Sequence, residues 1–135
     1  MKKFEILEHK ADLKIRAFGS TKKESFLNML KGMTDALKPE IKKSGEVEKE
    51  IKIQSPDLPA LLVDFLSEVL YLGQVNREAY FDINFKKFSD TKMECKIIGR
   101  KVEIFGEDIK AVTYHQLEVR QNQDGAWEAT VLFDI

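Results

Sequence analysis

Residues 13–40 read "LKIRAFG" and then "STKKESFLNMLKGMTDALKPE", and a change of period between the two decides the fold class. Over Leu13–Gly19 apolar and polar residues alternate, the period of a strand with one buried face. From Phe26 onward the apolar positions Met29, Leu30, Met33 and Leu37 return at helical spacing. Thr21 and Glu24 have the separation of a capping box, in which hydroxyl and carboxylate satisfy first-turn amides. Pro39 stands just beyond, where a helix must stop. A strand over Leu13–Gly19 followed by a helix from about Lys22 to Leu37 is therefore expected.

Outward from this unit the same two periods recur. Val47, Ile51 and Ile53 share one parity and predict a further extended segment. In "SPDLPALLVDFLSEVLYLG" (55–73), Pro59 falls in a first helical turn, where its missing N–H costs nothing. Leu62, Phe65, Leu66, Val69 and Leu70 form the apolar stripe, and Gly73 is placed to end the helix. The second half alternates: "YFDINFKKF" (80–88) through Phe81, Ile83 and Phe85, and "KMECKIIG" (92–99) through Met93, Cys95 and Ile97. "DIKAVTYHQLEVRQ" (108–121) and "AWEATVLFDI" (126–135) flank "NQDG", a hairpin signal. A loop over Gln123, Asp124 and Gly125 would set Val119 opposite Ala129, Leu117 opposite Val131 and Tyr114 opposite Asp134. The expected architecture is α+β, a two-layer sandwich of two helices on a mostly antiparallel sheet, forming one domain over residues 1–135.

Composition narrows the function. The chain has 22 Lys and Arg against 23 Asp and Glu, a net charge of -1, so it lacks the basic excess of a nucleic-acid binder. Contact with RNA is expected only through another protein. The single cysteine, Cys95, excludes an internal disulfide and a cysteine-rich zinc site, and its parity makes it a core side chain. No signal peptide is legible at "MKKFEILEHK" and no segment reads as a bilayer span, so the expectation is a cytoplasmic protein without membrane contact.

No phosphate-binding glycine loop, nucleophile elbow or zinc spacing is present in the sequence. His115 shares parity with Leu117 and Val119 and reads as a partly buried core histidine. His9 reads as a turn residue orienting its loop rather than as a zinc ligand. Asp12, taken alone, is an ordinary turn acid, and Asp134 an exposed strand-end acid. Asp134 also sits beside the α-carboxylate of Ile135, and two adjacent anions repel. Brought together with Asp12, these groups would offer three hard oxygen donors suited to calcium or magnesium. Spacing alone does not say whether they meet.

"HKADLKIRAFG" (9–19), "LLVDFLSEVLYL" (61–72), "IKAVTYHQLEV" (109–119) and the closing "VLFDI" together resemble the archease family, in the family's order from end to end. The resemblance implies a small, non-enzymatic α+β protein that activates the tRNA-splicing RNA ligase of the RtcB type, promoting its guanylylation and repeated turnover. It also implies a divalent cation, calcium foremost with magnesium or manganese as alternatives, held by Asp12, Asp134 and the terminal carboxylate of Ile135. Lys110, in the family's "KAxTYH" block, is implied to act on the ligase; read alone it is a solvated charge at a strand entry. Lys10 departs from the family's usual threonine and places an extra cation near the site. Two other readings stay open: a metal-dependent phosphodiester hydrolase, and a chaperone-like interaction module whose carboxylates are incidental.

Overall fold

The computed structural model of the chain describes residues 2–8 and 12–135, and of Glu8 the backbone alone. Its elements, in order, are β1 (Phe4–Glu8), β2 (Asp12–Gly19), α1 (Lys22–Ala36), β3 (Pro39–Gln54), α2 (Leu58–Asn76), β4 (Glu78–Phe88), β5 (Lys92–Phe105), β6 (Ala111–Gln121) and β7 (Trp127–Asp134). The strands make two antiparallel sheets, ordered β1-β2-β7-β6 and β3-β5-β4. The α+β class and the two helices are as expected, but the single sheet is not. β5 is saturated by β3 and β4, so the chain leaves it at Gly106 and starts β6 in the other sheet.

Alternation does what it predicts. Leu13, Ile15 and Ala17 of β2 and Met93, Cys95 and Ile97 of β5 are buried, and Phe26, Met29, Leu30 and Met33 of α1 pack with them. Phe26 lies 6.3 Å from Phe65 of α2 and meets Phe88 of β4 edge-on at 5.1 Å, tying both helices to the second sheet. Burial alone pushes the Cys95 thiol up to about 12, in keeping with an inert core cysteine.

The helix ends explain their own boundaries. Thr21 Oγ1 accepts from the amide of Glu24 at 3.1 Å, while the Glu24 carboxylate takes the Ser20 amide at 3.1 Å. α1 stops where Lys38 turns left-handed, φ 47°. Asp57 caps α2 through the Ala60 amide at 2.8 Å. Gly73 does not end α2, contrary to expectation: the helix runs to Asn76 and Arg77 supplies the left-handed stop, φ 53°. Gly73 answers a different need, because a Cβ there would lie 2.7 Å from the Glu78 carbonyl oxygen. By length and composition α2 is apolar enough to cross a bilayer, which also departs from the sequence expectation. Leu61, Leu62, Phe65, Leu66 and Val69 spend that apolarity on the core.

Glu78 follows directly after this stop and is a buried acid with its side chain 1% exposed. Tyr80 donates its hydroxyl to it at 2.5 Å, and the ammonium groups of Lys101 and Lys49 stand at 3.0 and 3.7 Å. Burial pushes the Glu78 carboxyl up, but those hydrogen bonds and charges more than reverse it and leave it below the ordinary value.

A candidate metal-binding tip

β7 occupies the middle of the first sheet and brings two distant aspartates together. Asp12, at the start of β2, is the direct cross-strand partner of Asp134, at the end of β7. Directly opposed residues of an antiparallel pair project to the same side, with Cβ atoms about 4.5–5.5 Å apart. On its other flank Asp134 pairs with Ala111 of β6, and its carbonyl oxygen accepts the Lys110 amide at 2.7 Å. Sequence separation is thus erased by strand order, and Asp12, Asp134, Ile135 and the Lys110 backbone converge at one end of the sheet.

The site is built unequally. Asp134 and the Lys110 side chain are exposed, whereas Asp12 is half-buried. Its Oδ1 is shut off from solvent and has no hydrogen-bond partner among the described residues. A buried carboxylate oxygen without a donor is costly unless something positive satisfies it. Asp12 and Ile135 line an open cleft of about 280 Å³ with Glu107, Asp108 and Lys38, over walls that include Ile6, Leu13 and Ile109. Hard oxygen donors at such a place fit a divalent cation that completes its shell with water. Among the described residues no three His, Cys, Asp or Glu side chains are grouped to hold a metal, so side chains alone do not complete a ligand set. His9 and Lys10 lie outside the described residues.

Other sequence expectations are corrected here. Val119 does pair with Ala129 across a three-residue loop, which Gly125 closes at φ 82°. Between Thr113 and Glu118, however, β6 bulges, so that Ala111 rather than Tyr114 faces Asp134 and Leu117 loses its place opposite Val131. Gln116 is left-handed there, φ 52°. The bulge turns His115 outward, and it is exposed instead of a core histidine. The sequence reading also missed what anchors the bulge. Asp64 of α2 accepts the Tyr114 hydroxyl on Oδ1 and the Ser55 hydroxyl on Oδ2, both at 2.6 Å. The hydrogen bond to Asp64, then burial, pushes the Tyr114 phenol above its ordinary value. The only sequence signal was an acid set inside the apolar run "LLVDFL".

Fold and tip define a class: small two-helix, two-sheet α+β proteins whose last strand delivers an aspartate to the start of the second. Residues 4–135 match the model of the archease protein family, and the chain belongs to that family. It is 40% identical to protein archease of Methanosarcina mazei, over 99% of this chain and 97% of that one. Protein archease of Pyrococcus furiosus is 32% identical, with both chains covered in full. Among solved structures, Methanobacterium thermoautotrophicum protein 1598 in solution superposes with a TM-score of 0.71 at 27% identity, both chains fully covered. The crystal structure of an archease, possible chaperone, from Thermotoga maritima gives 0.69 over 96% of this chain and 94% of that one; at 23% identity it speaks to the fold.

Proposed function

We propose that this protein is a non-catalytic activator of an RtcB-type tRNA-splicing RNA ligase, and that its tip carries a divalent cation, calcium in the first place. Family membership supports the partner. The cross-strand pairing of Asp12 with Asp134 is the observation that carries the site. Asp12 Oδ1, Asp134 and the α-carboxylate of Ile135 would hold the ion, which when bound supplies the positive charge their mutual repulsion calls for. Strand order does the rest: β7 fixes Asp134 against β2 on one side and against the Lys110 amide on the other. The Lys110 side chain is exposed, and on this reading it reaches a phosphate or carboxylate on the ligase.

The test is a guanylylation assay with a cognate ligase, GTP and substoichiometric activator. The wild type should raise the guanylylated fraction and sustain turnover, and Asp12→Asn and Asp134→Asn should lose both effects while keeping the native circular dichroism. Stimulation by both variants at wild-type level would overturn the proposal. So would hydrolysis of a phosphodiester by the metal-loaded protein alone, if Asp12→Asn abolished it.

A further inference from the structure

The loop from Gly106 to Lys110 is clamped at both ends. The Gly106 and Glu107 amides donate to the carbonyl oxygens of Lys38 and Leu37 at 2.9 and 3.1 Å, where α1 stops. The Lys110 amide donates to Asp134 at 2.7 Å, and Ile109, 1% exposed, is sunk in the core between them. Asp108 is thereby held over the same cleft as Asp12 and Ile135. Of the two acids on this loop, Glu107 already has a counter-charge in Lys38 at 3.6 Å. Asp108 has neither hydrogen bond nor ion pair with any described residue.

Resting on the cation reading above, we infer that Asp108 is an outer-shell acceptor of the tip, holding a metal-bound water and so setting the affinity for the ion. Three observations converge on this role. The cleft, at about 280 Å³, is far larger than a bare ion and has room for several waters, each occupying about 30 Å³ of liquid. Among the described residues Asp108 is not grouped with two other His, Cys, Asp or Glu side chains, and contact through a metal-bound water asks less of its distance than direct ligation does. Asp12, which lines that cleft and whose buried Oδ1 has no hydrogen-bond partner among the described residues, points to where the ion would belong. Hard cations retain waters in their shells, and acceptors that orient first-shell groups typically change affinity by about 10–100-fold.

The experiment is a calorimetric titration of calcium alone into the full chain, for wild type, Asp108→Asn, Asp108→Glu and Asp12→Asn, in low salt and in about 1 M NaCl, where the Debye length is about 3 Å. Asp108→Asn should bind at least tenfold more weakly in both salts, Asp108→Glu should recover part of the loss, and Asp12→Asn should not bind. Asp108 is exposed, so melting curves in chelator should coincide for wild type and Asp108→Asn. Binding by Asp108→Asn within twofold of wild type overturns the inference while leaving the cation site intact. A loss confined to low salt also overturns it, because that is a field effect and not a held water. Absence of calcium binding by the wild type overturns the cation reading itself.

Discussion

Asp12 and Asp134 face each other as direct partners across β2 and β7, two acids in a position where cross-strand side chains are immediate neighbours. Like charges directly opposite one another destabilise a ladder. The fold tolerates this at its tip, beside an Asp12 oxygen that has no hydrogen-bond partner among the described residues.

That tension predicts a crossover in thermal stability. In chelator, Asp134→Asn should melt slightly above the wild type, because the repulsion is gone. With calcium at about 100 times its dissociation constant, the wild type should gain about 2.7 kcal/mol by mass action. The variant should gain little. For a chain of this size 1 kcal/mol corresponds to roughly 4 °C, so the order of melting points should invert by several degrees. Parallel shifts in both proteins would contradict a shared site.

Glu78 predicts an acid limb. Its folded carboxyl titrates below the ordinary carboxylate value of about 4.3, so its contribution is complete above that value and is lost as pH falls through the folded value. Glu78→Ala leaves a buried gap and two lysines without their acid, and should cost about 3 kcal/mol near neutrality. Denaturant unfolding should show the gap between wild type and variant narrowing below about pH 4. A gap independent of pH would mean that packing, not charge, dominates there.

Tyr114 reports on the bulge. Its phenol should ionise above the ordinary value of about 10, since its proton is shared with Asp64. Spectrophotometric titration of Asp64→Asn should bring that phenol back toward the ordinary value. Tyr114→Phe should cost about 1 kcal/mol of stability through the lost hydrogen bond.

Gly73 sets propensity against sterics. Glycine to alanine in an open helix interior stabilises by about 1 kcal/mol. Here the added Cβ would stand 2.7 Å from the Glu78 carbonyl, a backbone atom that cannot step aside. The clash wins, and Gly73→Ala should destabilise by about 2 kcal/mol in denaturant unfolding.

What was legible in the sequence followed from what is periodic. The alternation of Leu13, Ile15 and Ala17 and the helical return of Phe26, Met29 and Met33 were visible because burial repeats them. That Asp12 and Asp134 meet was legible only through resemblance, since no local pattern encodes that β7 lies beside β2. Gly73 misled because glycine marks both a helix end and a close approach, and the sequence does not separate the two. The bulge at 114–117 was invisible for a related reason. Parity counting assumes an unbroken ladder, and the contact that breaks it, Tyr114 to Asp64, spans 50 residues.

Lys110 separates structure from action within a single residue. Its amide helps fix Asp134 at 2.7 Å, and any residue but proline supplies that amide. Its side chain is exposed and has no ion pair with any described residue, so nothing in the fold requires its charge. Lys110→Ala should therefore change unfolding free energy by less than about 0.5 kcal/mol. Calcium affinity should hold or rise slightly, because a neighbouring cation has been removed. If the ammonium engages the ligase, stimulation of guanylylation should nonetheless collapse, and Lys110→Arg, which keeps the charge but not its compact shape, should restore only part of it. Stimulation retained by Lys110→Ala would confine the function to the carboxylates. A fall in calcium binding alongside the loss of stimulation would instead place Lys110 in the architecture of the tip.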